Sequence, residues 1–196
     1  METLINLDKA AELFINNLAG RWWWFDALIK GLANDYFLVI GAFFGLLLLW
    51  FGTPEPKRRD LNQKLALQAM TSMGLSTLIV AILNALFFRP RPFDEIGVTT
   101  LLYRPTDSSF PSNSAAVLFG LGFAIWLGNR PIGKIFLLIA VIHSFARLIA
   151  GMHYPLDIIG GASIGALTAL TARWLFKVFS PFVDFLLIIA KAAFLA

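Results

Sequence analysis

The sequence predicts an all-α integral membrane protein, a helical bundle with about five transmembrane helices and an interfacial helix at each terminus. Of its 196 residues, 58% are hydrophobic and 14% are charged, a composition far more apolar than that of ordinary soluble domains. The apolar residues also gather into runs close to the ~20 residues that a helix needs to cross a bilayer. We therefore expect residues 1–196 to form a single membrane-embedded domain, with no separate soluble unit.

Composition also limits the cofactors and partners. The chain has no cysteine and two histidines, so neither a disulfide framework nor a thiolate or histidine-built metal site is expected. We predict no cofactor and no metal. The formal net charge of +4 is small and scattered, without the basic and aromatic pattern typical of nucleic-acid binding. Membrane lipid and the bilayer are the expected partners.

The N-terminal segment favours the membrane surface. Residues 3–18 form a rough amphipathic stripe without enough apolar length to span. They also lack the basic region and short apolar core of a signal peptide. The cluster Arg21–Phe25 follows, and its three consecutive tryptophans are typical of an interfacial anchor, because indole joins an apolar body to one N–H donor.

A basic loop sets the expected orientation. Residues 53–64 carry three arginine or lysine side chains in a row at positions 57–59 and a fourth at Lys64, which predicts a cytoplasmic loop. The tail after Pro181 contains Asp184 and Lys191, so it is expected to lie on the inner surface. The segments around positions 89–112 and 153–157 then share the extracytoplasmic face. The predicted spans are 35–52, 65–88, 114–127, 135–152 and 156–179.

The end of the fourth predicted span carries a candidate catalytic pair. Arg147 needs an anionic partner or a wet cavity at this depth, although an arginine at a helix end also extends towards lipid headgroups. His153 and Asp157 follow around a Tyr-Pro turn. A carboxylate that fixes the tautomer of an imidazole can make it a nucleophile, whereas a lone histidine here could simply be an interfacial hydrogen-bonding residue.

Two further segments could bind an anion. In FFRPRPF, two prolines hold the chain extended, so Arg89 and Arg91 are expected to point alike, and an arginine fork suits phosphate. A basic cluster bound to headgroups is the alternative. Ser112, Asn113 and Ser114 open the third span, where free backbone N–H groups attract anions, although helix capping alone also explains such residues.

Together, RPRPF, FPSNS and ARLIAGMHYPLD resemble the three-part signature of the type 2 phosphatidic acid phosphatase superfamily, the lipid phosphate phosphatases. The layout is most similar to the undecaprenyl-diphosphate phosphatase branch, over roughly residues 83–161. The resemblance implies that His153 is the nucleophile and that Asp157 orients it. The phosphate-binding residues that it implies are Arg91, Ser112, Asn113 and Arg147.

Three positions depart from the family pattern. Asn84 stands in place of a lysine, Ala146 replaces a serine, and Asn113-Ser114 replaces Gly-His. The family's histidine at position 114 is the acid that protonates the leaving oxygen, so the second motif is degenerate here. A serine hydroxyl is a poor acid near neutral pH. His143, one helical turn before Arg147, is a candidate substitute proton donor.

Two functional hypotheses follow. The first is a lipid phosphatase that hydrolyses a polyprenyl diphosphate or related lipid phosphate at the outer membrane face through a phosphohistidine, with turnover weakened at Ser114. The alternative is a catalytically impaired homologue that acts as a lipid-binding or scaffold subunit of a membrane complex. A transporter ranks below both, because no span is broken in its middle and no paired charges are expected at the midplane.

Overall fold

The computed structural model describes residues 2–192, without the side chains of residues 37–39, and the regular secondary structure of this part is all helical, with no strand. The last four residues of the predicted C-terminal surface segment lie outside the described part. The helices are α1 (Glu2–Asn16), α2 (Trp23–Leu32), α3 (Asp35–Phe51), α4 (Pro56–Leu86), α5 (Pro92–Glu95), α6 (Asn113–Trp126), α7 (Arg130–Ile149), α8 (Pro155–Val178) and α9 (Ser180–Ala192).

The predicted spans correspond to five of these helices. Among residues 2–192, α4, α7 and α8 are long and apolar enough to cross a membrane, and α6 and the Ile40–Phe51 part of α3 are shorter apolar helices. The fold class is therefore confirmed as an all-α integral membrane bundle. The predicted boundaries were less accurate for α4, which begins at Pro56 rather than at residue 65. Residues 57–64, five of which are charged, extend this helix beyond its apolar part, and a proline stands in its first turn.

Helix α6 is the centre of the bundle and packs against α4, α7 and α8. Small residues allow the backbones to approach closely. A Cβ atom added at Gly165 would lie 2.5 Å from the backbone nitrogen of Gly120, and one added at Gly161 would lie 2.5 Å from the carbonyl oxygen of Ser112. The contact between α6 and α8 therefore leaves no space for a larger side chain at these two glycines of α8.

Buried hydroxyl groups join α4, α6 and α8 at the same level. The Thr168 hydroxyl lies 2.7 Å from that of Ser76 and 3.1 Å from that of Ser72. Ser72 donates to the Gly120 carbonyl over 3.1 Å, and Thr168 donates to the Gly165 carbonyl over 3.0 Å. Each hydroxyl is thus satisfied inside an apolar bundle, where an unpaired polar group would be costly.

Helix α1 turns its polar side towards the protein. Asp8, Glu12 and Asn16 are buried, whereas Leu7 and Phe14 are 63% and 78% exposed. Asn16 donates to the carbonyls of Thr99 and Ile149 and accepts from the Thr99 N–H, all within 2.9 Å. Helix α1 is therefore fixed to the end of α7, with its apolar side facing outward.

The termini of four helices meet at one end of the bundle. These are the C-terminal ends of α4 and α7 and the N-terminal ends of α6 and α8, and α1, α5 and the loop up to Ser112 surround them. Helix α9 lies at the other end, where Asp184 pairs with Lys64, and Lys191 pairs with Asp60 at 2.6 Å. The three predicted motifs are thus brought together at one end.

The close contact between α6 and α8 makes a testable prediction. Gly165→Ala should lower the melting temperature of the detergent-purified protein by several degrees, because overpacking costs about 1–3 kcal/mol. Gly74→Ala is the matched control, since a Cβ added at this helical glycine meets nothing within 4 Å. Equal melting temperatures for the two variants would contradict the packing described here.

Candidate active site

A cavity of about 390 Å³ opens at the end of the bundle where the motifs meet. Its lining combines polar side chains from α3, α4, α6 and α7 with residues of the segments that follow α4, α5 and α7. The cavity is lined by Asp35, Asn84, Arg91, Tyr103, Pro105, Asp107, Ser108, Pro111, Asn113, Ser114, Val117, Arg147 and His153. It therefore gathers residues from all three predicted motifs.

His153 lies in the turn between α7 and α8 and is 2% exposed. Its Nδ1 atom lies 3.1 Å from the carbonyl oxygen of Ser109. Because a carbonyl can only accept, this contact assigns the ring proton to Nδ1 and leaves Nε2 with a free lone pair. Burial lowers the pKa of His153 to about 4, and the charges of Arg147 and Arg91 act in the same direction. The imidazole is therefore neutral and nucleophilic near neutral pH.

Two arginines flank the free nitrogen of this histidine. Arg147 Nη2 lies 3.4 Å and Arg91 Nη1 3.5 Å from His153 Nε2. Arg91 is held by the Met152 carbonyl at 2.9 Å and the Asp107 carboxylate at 2.8 Å. Both arginine side chains are 4% exposed. A phosphate bound between them would place its phosphorus beside Nε2, since arginine forks match phosphate oxygens.

Asp157, in the first turn of α8, is completely buried and fully hydrogen-bonded. Its Oδ2 atom accepts from the Ser109 hydroxyl at 2.5 Å and the Tyr154 N–H at 2.8 Å. The same oxygen lies 3.8 Å from His153 Nδ1. The carboxylate therefore shares Ser109 with the imidazole as a common neighbour and can stabilise positive charge on the ring.

Arg89 forms an ion pair with the other carboxylate oxygen of Asp157. Its Nη1 donates to Asp157 Oδ1 and its Nη2 to Asp8 Oδ2, each at 2.6 Å. The guanidinium carbon also lies 4.1 Å from the centre of the Tyr154 ring. The expectation that Arg89 and Arg91 point alike was wrong, because these two carboxylates hold Arg89, and it does not line the cavity that Arg91 lines.

Sequence reasoning missed the contribution of α1. Asp8 reaches Arg89, and its second oxygen accepts from the Leu156 N–H at 2.9 Å. Burial raises the pKa of Glu12 to about 9, with Asp157 and Asp8 adding to the rise, so Glu12 stays uncharged there. The spacing of Asp8, Glu12 and Asn16 at four-residue intervals was the available signal, since it places three polar side chains on one helix face.

The residues of the second motif, FPSNS, have two different positions, since one caps a helix and others line the cavity. Ser112 is completely buried, accepts from the Ala115 N–H as the N-cap of α6, and donates its own N–H to the Asp157 carbonyl at 3.1 Å. It does not line the cavity, whereas Asn113 and Ser114 do. Ser112 thus acts as a cap, and the phosphate-binding role predicted for it stays a prediction.

His143 lies behind the cavity wall. It is completely buried and absent from the cavity lining, and its Nδ1 atom contacts the Leu32 carbonyl oxygen at 3.0 Å. Its Nε2 atom is 3.6 Å from Asp35 Oδ1. His143 thus contacts a carboxylate that lines the cavity and pairs with Arg147 at 2.7 Å. The role of substitute proton donor predicted for His143 stays a prediction.

Comparison with known proteins places this site in a family. The family model described as PAP2 superfamily matches residues 65–180, a stretch that includes all three motifs. The chain belongs to the PAP2 superfamily. A protein of Bacillus licheniformis called bacitracin transport permease protein BcrC is 30% identical over 173 residues, which cover 87% of this chain and 80% of that protein.

A second relative is named as a phosphatase, and a solved structure matches most of the chain. The undecaprenyl-diphosphatase BcrC of Bacillus subtilis is 29% identical over 81% of this chain and 79% of its own. Among solved structures, Aquifex aeolicus LpxE matches with a TM-score of 0.64 and 28% identity, over 84% of this chain and 93% of that chain. The homologues of this PAP2 protein thus include membrane lipid phosphatases. Within residues 2–192, no cluster of three or more metal-ligating side chains is present.

The contact between Asp8 and Arg89 predicts that α1 supports catalysis. In Asp8→Asn, Arg89 loses one of the two carboxylates that hold it. Its position against Asp157 is then no longer fixed. We expect phosphate release from a lipid diphosphate to fall about tenfold in kcat, because small misplacements of reacting groups lower rates strongly, with KM nearly unchanged. Asp94→Asn, a nearby exposed acid of α5, is the control. Equal rates for the two variants would show that α1 has no such role.

Proposed function

We propose that the protein hydrolyses a polyprenyl diphosphate or related lipid phosphate through a phosphohistidine at His153. The observation that carries this proposal is the free Nε2 atom of a neutral imidazole, held within 3.5 Å of two buried arginines at the wall of a cavity. This arrangement provides a nucleophile and a site for the charge of the transferred phosphoryl group.

The first chemical step follows from this geometry. Oxygens of the terminal phosphate bind Arg91 and Arg147, which then turn their donors from Nε2 to the phosphate. The Nε2 lone pair attacks phosphorus while the bond to the leaving oxygen breaks. Positive charge that develops on the ring is stabilised by the Ser109 carbonyl and the nearby Asp157 carboxylate. Water then attacks the phosphorus, the P–N bond breaks and the imidazole is restored.

The residue at position 114 favours a diphosphate over a monoester. Ser114 lines the cavity where the family has its acid, and its hydroxyl lies 3.4 Å from that of Ser112. A serine cannot supply a proton comparably near neutral pH. Cleavage of a diphosphate releases a lipid phosphate, a leaving group that needs less protonation than an alkoxide does. We therefore infer that turnover is weakened most for simple phosphate esters.

The substrate is proposed to enter from the extracytoplasmic leaflet. The basic residues 57–59 and Lys64 belong to the end of the bundle opposite the cavity, and such residues favour the cytoplasmic side. A lipid headgroup can then reach the two arginines while its chain stays among the apolar surfaces of the helices. The alternative role, a catalytically impaired lipid-binding or scaffold subunit of a membrane complex, is supported by the same Ser114 and by Asn84.

The deciding experiment measures phosphate release from undecaprenyl diphosphate by the purified protein in detergent, with chelator present. We expect release by the unchanged protein and none by His153→Ala. The value of kcat/KM should decrease as the pH falls through about 4, because the protonated imidazole cannot attack. Absence of release from both proteins, with phosphatidate as well, would reject the enzyme and favour the lipid-binding alternative.

Ser114→His tests whether the proton donor is what the site lacks. With or without Asn113→Gly, we expect this change to raise turnover of a phosphate monoester such as phosphatidate by about 10²-fold, the usual contribution of a general acid. The gain for the diphosphate should be smaller. If neither substrate is turned over faster, the residues around Ser114 no longer place an acid near the leaving oxygen.

A further inference from the structure

A second cavity lies at the opposite end of the bundle from the candidate active site. Its volume of about 650 Å³ exceeds that of the site containing His153. It lies between the N-terminal half of α4, the turn from α6 to α7, the C-terminal half of α8 and the start of α9. Its charged lining residues are Arg58, Lys64, Arg173, Lys177 and Asp184.

The charge of this cavity is only partly compensated. Lys64 pairs with Asp184, and Arg173 donates to the Leu127 carbonyl at 2.6 Å. Arg58 contacts Glu55 at 3.2 Å across an exposed surface, a kind of pair that contributes little. Lys177 forms no ion pair with any residue in the described part of the chain. Four cations therefore face one carboxylate, and the cavity suits an anion.

An apolar groove of about 450 Å³ continues from the basic cavity along the bundle. The two share Phe176 and Val183 in their linings. The groove lies between α4, α8 and α9, and its remaining lining is almost entirely apolar. These residues are Leu67, Thr71, Leu175, Phe179, Phe182 and Leu186. An anionic cavity ligand could thus extend an apolar chain directly into the groove.

We propose that the basic cavity and this groove together bind one anionic phospholipid of the adjacent leaflet, with its phosphate among the four cations and an acyl chain along α9. A soluble phosphate compound would use only the cavity and leave the apolar continuation unexplained. General attraction of basic residues to a membrane surface would not require a concave site. The proposal does not depend on catalysis at His153 or on which side of the membrane this end faces.

The test measures phosphatidylglycerol bound to the purified full chain by native mass spectrometry. Arg58→Gln with Lys177→Gln should weaken binding about tenfold or more, because each basic residue near a lipid surface strengthens the attraction to anionic lipid. The matched control is Lys57→Gln with Lys134→Gln, which removes two exposed charges from the same end outside the cavity. Equal losses in the two pairs would overturn the site in favour of general surface charge.

A second comparison distinguishes a lipid from a soluble phosphate compound. Phe182→Ala should weaken phosphatidylglycerol binding, whereas Phe185→Ala should not, since both side chains of α9 are similarly exposed, at 59% and 56%, and only Phe182 lines the groove. Inorganic pyrophosphate should bind far more weakly than the lipid. Pyrophosphate binding as tight as lipid binding, or equal effects of the two phenylalanine changes, would overturn the phospholipid assignment.

Discussion

The buried charge of Asp157 is the constraint on which the arrangement of the site depends. A carboxylate with no exposed surface needs charge compensation and hydrogen-bond donors for its oxygens. Arg89, Ser109 and the Tyr154 N–H supply these. These partners come from the segment after α4, the loop before α6 and the start of α8. Satisfying one charge therefore fixes three segments around His153.

The same requirement explains why α1 belongs to the site. Arg89 is itself partly buried, and its second donor meets Asp8. The polar face of α1 can be buried because its acids are either paired, as in Asp8, or uncharged, as in Glu12. An amphipathic helix with its polar side inward and its apolar side outward is the arrangement expected for a protein whose surroundings are lipid.

Much of the fold and part of the site could be predicted from the sequence because their signals are local. Apolar runs predicted the spans. The positions of His153 and Asp157 after Arg147 predicted the histidine–aspartate pair that the structure brings together. The role of Arg89 could not be derived in the same way. The extended Arg-Pro segment predicts that Arg89 points the same way as Arg91. Asp8, which is distant in sequence, instead determines where the Arg89 side chain lies. The cap formed by Ser112 shows the same limit, since capping and anion binding use the same residue types.

The carboxylates around the cavity also bear on which substrates can be bound. Arg91 pairs with Asp107 and Arg147 with Asp35, so an entering phosphate competes with a carboxylate for each guanidinium. Asp107 is 60% exposed at its side chain and Asp35 31%, so both can turn towards water as the phosphate binds. A diphosphate carries more charge than a monoester and competes more strongly for the two arginines. The electrostatics of the resting site and the serine at position 114 therefore both support the diphosphate substrate that we propose.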